Sequence, residues 1–418
     1  MAGGGSSQSR GRKPFKDVFD DLQIGLGDHA RVISTVGAST CARSSSPLEG
    51  PRTLENTLSH SIKRNGFPCW TTLQWNSSQP TSQLTFSLEM NENTRSYKPG
   101  QAIPSKEFLE AVALIEELKD ILPGDNINQS GLESIYTSFM HQTMCEFVFG
   151  SNMIEGAGLD LNTTICLCNE VFNGQIVDAA CVDSHHKFYN EMLLFLQRHR
   201  NIEKVSPSET LKLLREVIQH AQALKHITDA TLLRNEPLTE NLILETHRIL
   251  CASIPRTGRT HEDYAGKYRT EWVYAGTTQF PDPKNIPALM AKFVEVFNQD
   301  VKSSESSGKL DPFFLAADAC QDLVTIHPFA DGNGRMCRLL MNMYLIKYAG
   351  IIVNLGEQEQ DRGEYMTIAA RAGDGDTEEE ARGELARMVL ERGANTLRRL
   401  KTRLSAVQLE KLEVKQVE

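Results

Sequence analysis

Three observations predict a mostly α-helical protein. Apolar residues recur at helical spacing along most of the chain from Pro104 onward. Only one stretch, EWVYAGTTQF from Glu271, has the β-branched and aromatic texture of two strands around a glycine turn. The chain is 418 residues long with 40% hydrophobic and 23% charged residues, enough to close a core around such helices. No period of about 34 residues recurs, which argues against a helical-repeat array.

The elements follow in order. Residues 1–100 are rich in Ser, Gly, Thr, Asn and Pro and are expected to form a disordered arm. Phe67, Trp70 and Trp75 are its exceptions, expected to dock on the folded body. Residues 101–160 read as helical. Leu109, Val112, Ile115 and Leu118 mark a helix that ends near Pro123-Gly124. A second runs from about Leu132 to Val148, with Ile135, Phe139, Met144 and Phe147 on its apolar side, and gives way to GSNMIEG at Gly150. Residues 161–210 read as an insertion, with helical spacing at Tyr189–Leu196 and with His185 and His186 expected at the surface.

From 211 to 375 the helical texture is sustained, at Leu211–Ile227, Leu242–Leu250, Ile286–Phe297 and Pro312–Ile326. Thr239 suits the N-cap of the second of these, with Glu240 in its first turn. The apolar run LLMNMYLIKYAGIIVNLG from Leu339 is broken by Asn342 and Lys347, so it reads as a buried helix running into a loop. Residues 376–418 are highly charged but space Leu385, Val389, Leu397, Leu400 and Leu404 as one or two amphipathic helices.

Charge and cysteine usage exclude several classes. A formal charge of -10 gives no general attraction to nucleic acid or to an anionic membrane. With a mean hydropathy of -0.34 and no apolar span of transmembrane length, no membrane partner is expected. Nine scattered cysteines do not make a disulfide framework, so a reducing compartment is expected, cytoplasmic or nuclear. Cys166 and Cys168 are the only close pair and, lacking a second pair or a matching His, read as two ordinary thiols.

One segment concentrates the chemistry: Ile326-His327-Pro328-Phe329-Ala330-Asp331-Gly332-Asn333-Gly334-Arg335-Met336-Cys337-Arg338-Leu339-Leu340. An apolar helix ends at a His held before Pro, a short Gly-rich loop follows, and a second apolar helix begins. Loop amides at a helix N-terminus form an anion site. Arg335 and Arg338, three apart, fall on one face where both forks reach phosphate oxygens. Asp331 offers carboxylate oxygen to a phosphate-bound Mg²⁺, and His327 is the residue type that accepts a hydroxyl proton near neutral pH. Base, metal carboxylate, anion loop and two arginines together suit phosphoryl or nucleotidyl transfer.

HPFADGNGRMCR resembles the Fic-domain signature HxFx(D/E)GNGRxxR at every specified position, and the resemblance extends loosely over about residues 130–375. It implies a Fic-type helical bundle with a small β-hairpin flap, its catalytic core at 211–375. It also implies transfer of AMP from ATP, with Mg²⁺, to a Ser, Thr or Tyr hydroxyl of a target protein, self-modification included. Carried over position by position, His327 is the general base and Asp331 the metal ligand. Gly332, Asn333, Gly334, Arg335 and Arg338 hold the nucleotide. Outside that match, Tyr365 is expected on the purine side, with a buried core tyrosine as the alternative. Ser151-Asn152-Met153-Ile154-Glu155-Gly156 resembles the family's inhibitory motif (S/T)xxxE(G/N), in the subclass that carries it N-terminal to the catalytic loop. There Ser151, Glu155 and Gly156 are the inhibitory residues, and Glu155 would occupy the fork of Arg338 that the γ-phosphate needs.

The segment EWVYAGTTQF matches the family's flap by position, where an exposed strand can pair with an extended target. The stretch Ala370-Arg371-Ala372-Gly373-Asp374-Gly375-Asp376 lacks the Asn that the family often carries there. Removal of AMP, transfer of UMP or phosphocholine, and a non-catalytic nucleotide-binding module are the alternatives. A homo-oligomer is compatible with all of them.

Overall fold

The computed structural model describes residues 53–65, 73–74, 83–84, 87–88, 106–121, 131–199 apart from 176, 206–371 apart from 257, 259, 276, 277 and 308, and 378–417. The described residues all lie in the larger of two units, Pro51–Glu418. Among them the fold is mostly α. In chain order the helices are α1 Leu54–Asn65, α2 Lys106–Ile121, α3 Leu132–Ile154, α4 Leu161–Phe172, α5 Tyr189–His199 and α6 Pro207–Leu232. They continue as α7 Glu240–Cys251, α8 Ile286–Ser307, α9 Pro312–Ile326, α10 Asn333–Tyr344, α11 Glu359–Ala370 and α12 Glu378–Val417. Caps set several starts: Asp160, Ser206, Thr239 and Asp311 each accept a backbone N–H of the first turn.

The core forms around α9 and α10. Ala316, Ala317, Ala319, Cys320 and Leu323 of α9 are buried, and these mostly small side chains let α10 approach closely with Leu339, Leu340 and Met341. Each fully buried leucine contributes about 1.5–3 kcal/mol relative to exposure. α10 runs into a π-helical turn, Leu345–Ala349, and then a buried loop. Asn342 makes that loop possible: its side chain accepts from Val353 N at 2.7 Å and donates to Val353 O at 3.0 Å. α12 then packs across α2, α9 and α3, burying Leu385, Val389, Leu397, Leu400 and Leu404. Arg382 ties it to α9 through Asp318 and Asp322.

The structure corrects the sequence reading in several places. Inside the arm expected to be disordered, α1 buries Leu54, Leu58 and Ile62 against α3 and α6, and Thr57 Oγ1 donates to Asp229 Oδ1 at 2.7 Å. Three buried apolar side chains spaced four apart suffice to dock one helix from an otherwise polar stretch. Ser87–Leu88 also pairs, in parallel, with Lys309–Leu310. Phe67, Trp70 and Trp75 lie outside the described residues.

On α2 the buried face is Phe108, Ala111, Ile115 and Leu118, and Leu109 is exposed. α3 does not stop at Gly150 but continues through Ser151 to Ile154. Gly150 faces Gly356, and a Cβ on Gly150 would meet Gly356 C at 2.9 Å, so the glycine permits close approach rather than marking an end. Tyr274–Ala275 and Thr278–Gln279 pair antiparallel, as the β texture of that stretch requires.

Candidate active site

α9 ends at His327, whose backbone turns left-handed (φ 49°, ψ 59°) while its N–H still donates to Leu323 O at 2.9 Å. A non-glycine residue in that conformation needs its surroundings to hold it. Arg269, itself buried, supplies the clamp. Its Nε donates to His327 O at 2.7 Å, Nη1 to Glu271 O at 3.0 Å and Nη2 to Pro281 O at 2.7 Å, and its own N–H donates to Pro328 O at 2.9 Å. One guanidinium thus joins the His327 turn to both ends of the hairpin segment. The imidazole stacks on Phe280, ring centroids 3.8 Å apart. Burial pushes the His327 pKa down to about 4, so the ring is neutral at pH 7.

The loop after His327 is closed from within. Asn333 Oδ1 accepts from Phe329 N at 2.9 Å, and its Nδ2 donates to Phe329 O at 2.8 Å. The Asn333 side chain is therefore spent on the loop, and only its backbone amide is offered to a ligand. Phe329 stacks on His247 at 3.7 Å between centroids. Gly266 N donates to His247 Nδ1 at 2.9 Å, so the ring proton sits on Nε2, which faces Asp331 O at 2.9 Å. That pairing uses the neutral tautomer fully, and burial holds the His247 pKa down to about 4.

The start of α10 follows directly. Gly332, at φ 79°, caps the helix. Asp331 Oδ1 accepts Gly332 N at 2.6 Å, and the carboxylate is 41% exposed. Arg335 is buried, its nearest carboxylates being Asp331 at 3.8 Å and Glu216 at 3.9 Å. Its Nε and Nη1 have no hydrogen-bond partner among the described residues. A buried cation with unspent donors beside a helix N-terminus is chemistry for an anion.

Arg338 is occupied instead. Only 1% exposed, it donates from Nε to Ser151 Oγ at 2.8 Å, and from Nη2 to Ser151 O at 2.9 Å and Glu155 Oε1 at 2.6 Å. Glu155 is the C-cap of α3 and its side chain is 36% exposed. Burial would raise its pKa, but Arg338 and then Arg335 outweigh that and hold it below the usual carboxylate value. A Cβ on Gly334 would run into Glu155 Oε1, so the carboxylate rests directly over the Gly-Asn-Gly turn. Gly156 makes the left-handed exit from the motif at φ 63°. Asn152 anchors the same turn from behind, its Oδ1 2.9 Å from His220 Nδ1 on α6.

The structure thus brings His327, Asp331, Gly332, Asn333, Gly334, Arg335, Arg338, Ser151 and Glu155 into one site. Tyr365 is a correction. It is fully buried, with the Arg338 guanidinium 5.4 Å from its ring centroid, so it backs that arginine rather than presenting a face for a purine. Of the stretch Ala370–Asp376, residues 372–376 lie outside the described residues. The sequence reading missed Arg269, His247, Phe280 and His220. The available signals were the stretches EVIQHAQALKHI from Glu216, which holds His220, and Gly266-Lys267-Tyr268-Arg269 before the hairpin, both loosely similar to the family. Among the described residues no three His, Cys, Asp or Glu side chains gather as a metal site, and no helix is long and apolar enough to cross a membrane.

Residues 237–345 match the model of the Fic/DOC family. The sequence is 35% identical over 163 residues to "Protein adenylyltransferase Fic" of Drosophila willistoni, covering 38% of this chain and 30% of that protein. A Nematostella vectensis protein of the same name is 31% identical over 172 residues, covering 41% of this chain and 37% of its own length. The chain therefore spans roughly a third of the length of the curated relatives it matches. A crystal structure of a Fic-domain-containing signaling protein from Bacteroides thetaiotaomicron superposes with a TM-score of 0.50 at 20% identity, over 71% of this chain and 97% of that one. At that identity the likeness concerns the fold, and the fold is of the mostly α-helical Fic type. Residues 237–345 thus match the Fic/DOC family, and part of the chain is similar to protein adenylyltransferase Fic.

Proposed function

We propose that the protein is an adenylyltransferase that moves AMP from ATP to a Ser, Thr or Tyr hydroxyl of a target protein, and that Glu155 holds it inactive. The observation that carries this reading is the convergence on one loop of a neutral, half-buried His327, the amides opening α10 and the two buried arginines Arg335 and Arg338. The 35% identity to a protein adenylyltransferase points the same way.

The division of labour follows from the geometry. His327 takes the proton of the attacking hydroxyl, fixed in position by Arg269 and Phe280. The α10 amides and Arg335 hold phosphate oxygens, which spend the donors now unpaired on Arg335. Asp331, with a partly exposed carboxylate, fits a Mg²⁺ shared with those phosphates, an ion that commonly takes one or two protein carboxylates and keeps the rest for water and substrate. Mg²⁺, when bound, would shield phosphate charge. The hairpin, tied to His327 through Arg269, would serve as the flap that receives an extended target segment, with Trp272 and Tyr274 exposed on it.

Inhibition is competition for Arg338. Glu155 and a terminal phosphate require the same Nη2 donor, and the carboxylate also covers Gly334. One observation favours a second reading: the Glu155 carboxylate rests over Gly334 in the loop that follows His327, so it stands where it could place a water for removal of AMP from a modified target. Intact-mass analysis of the Glu155→Gly protein after incubation with ATP and Mg²⁺ tests the transfer reading. An AMP adduct, absent when His327 is also replaced by Ala, is the expected result. No adduct on the protein itself or on any protein of a lysate supplied as target would contradict it.

A further inference from the structure

Two hydrogen-bonded links leave the short segment Gly266–Arg269 and reach opposite ends of the loop that begins at His327. The first is Arg269, whose side chain holds His327 O and whose own N–H holds Pro328 O. The second runs through α7. Gly266 N donates to His247 Nδ1 at 2.9 Å, and His247 Nε2 donates to Asp331 O at 2.9 Å. A neutral imidazole that accepts at Nδ1 carries its proton on Nε2, so the Gly266 amide selects the tautomer that Asp331 O requires.

This second link is packed on every side. His247 is fully buried, and its ring lies on that of Phe329 with the planes 7° apart. Cys251 Sγ, one turn further along α7, lies 3.4 Å from Nε2. A Cβ on Gly332 would stand 3.3 Å from Nε2 and 3.1 Å from that sulfur, so the backbone entering α10 rests on the ring and the thiol. At the other end, a Cβ on Gly266 would meet Arg248 Cβ at 2.8 Å and Leu244 O at 3.0 Å, so its amide is seated close against α7.

The peptide joining Asp331 to Gly332 connects this link to the carboxylate. Its carbonyl accepts from His247, and its N–H donates back to Asp331 Oδ1 at 2.6 Å. Because the peptide is planar, the two bonds turn together, and tilting the carbonyl swings the carboxylate. We propose that His247 is a positioning residue for the metal carboxylate. By holding Asp331 O it sets the direction in which that carboxylate meets a phosphate-bound Mg²⁺, which rests on the reading of Asp331 as the metal's ligand. Gly266 belongs to the same device. One segment thus braces the base at one end of the loop and the metal carboxylate at the other.

The two ring nitrogens can be tested apart. In His247→Asn the side-chain oxygen takes the place of Nδ1 and still accepts Gly266 N, but nothing reaches Asp331 O. In His247→Gln the amide nitrogen takes the place of Nε2 and can donate to Asp331 O. In the Glu155→Gly background, equilibrium binding of ATP is measured over a range of Mg²⁺ concentrations and in EDTA, with transfer followed alongside. His247→Asn is expected to raise the Mg²⁺ concentration for half-maximal transfer about tenfold and to cut the Mg²⁺-dependent gain in ATP affinity similarly, with ATP affinity in EDTA unchanged within about twofold. His247→Gln should recover most of both. Gly266→Ala displaces the amide that sets the tautomer, so it should shift Mg²⁺ dependence in the same direction, and it carries the test if His247→Asn does not fold. Loss of stability without any change in Mg²⁺ dependence, in whichever of these two variants folds, would overturn the positioning role. So would a His247→Gln protein no better than His247→Asn. Asp331→Ala separates this inference from the reading beneath it. If that variant loses Mg²⁺ dependence while His247→Asn and Gly266→Ala keep it, only the positioning role falls. If Asp331→Ala binds ATP with unchanged Mg²⁺ dependence, the metal reading falls and the positioning role with it.

Discussion

The His327–Arg338 loop and the Ser151–Gly156 turn meet at one arginine but are built to opposite standards. The loop is closed by the protein itself: Arg269 holds the His327 carbonyl, Asn333 bridges both backbone groups of Phe329, and His247 spends both ring nitrogens on Gly266 and Asp331. The turn is anchored at Asn152 and Ser151, yet its working group, Glu155, is a helix C-cap more than a third exposed and hydrogen-bonded to Arg338. On the proposed reading the loop is the catalytic geometry, which has to be permanent, and the turn the inhibitory one, which has to be displaceable. Internal hydrogen bonds serve the first, and a single partly solvated carboxylate on a rigid stem serves the second.

The comparison breaks most severely at the base. His327→Ala should lower transfer in the Glu155→Gly background by about 10²–10⁴-fold while ATP binding persists, because on the proposed reading amides and arginines hold the nucleotide. Retained transfer together with lost nucleotide binding, read by labelling and equilibrium binding, would reverse the assignment. Next comes the clamp. Arg269→Ala removes donors from three carbonyls, and each buried group left unpaired costs about 1–3 kcal/mol. Unfolding by urea should show that loss, and transfer should fall by about tenfold or more as His327 loosens. Arg269→Lys, which keeps the charge but not the fork, should recover little of either. A fully active Arg269→Lys would show that the three bonds do not position the base.

Acid sharpens the contrast more mildly. His327 and His247, with pKa values pushed down to about 4, and fully buried His220 are neutral in the folded protein. Unfolded, each ring titrates near 6.5. Below pH 6.5 the unfolded chain therefore binds protons that the folded chain refuses, so stability is full above that pH and falls as pH drops from about 6.5 towards 4. The loss is on the order of 1–2 kcal/mol per ring at pH 5. Urea midpoints at pH 7 and pH 5 check this. An unchanged midpoint would mean that these rings titrate in the folded state as they do in water. Transfer, by contrast, should show no ionisation of His327 between pH 6 and 8.

How much of this was legible in the sequence depended on whether the partners are neighbours in the chain. His327 to Arg338 could be read because base, carboxylate, turn and both arginines fall within one loop and one helical turn. Ser151–Gly156 could be read only through a family resemblance, because its partner Arg338 lies 187 positions from Ser151 and no local pattern joins them. Arg269 escaped because it binds backbone carbonyls, which any residue supplies, and His247 escaped because a buried His on an apolar helix face looks like core. Tyr365 was misplaced because a tyrosine among charged residues does not show which side of an arginine it packs on. α11 has few buried side chains, Tyr365 and Ile368 among them, so its periodicity was too weak to announce a helix. α3 was cut short at Gly150 because a helical glycine reads as a stop until its close neighbour, Gly356, is seen.

Whether Glu155 keeps the site closed by occupying Arg338 is measured most directly by label transfer from α-³²P-ATP. Wild type, Glu155→Gly, Arg338→Ala and the double variant should be compared under identical Mg²⁺ and ATP. With the carboxylate partly solvated, the pair is worth roughly 1–2 kcal/mol, so Glu155→Gly should raise labelling by about one decade, and by more if the pairing also misplaces the α-phosphate. Arg338→Ala breaks the same pair but removes the phosphate's partner, so it and the double variant should stay dark. Wild-type labelling equal to that of Glu155→Gly, or an Arg338→Ala protein as active as Glu155→Gly, would contradict the claim.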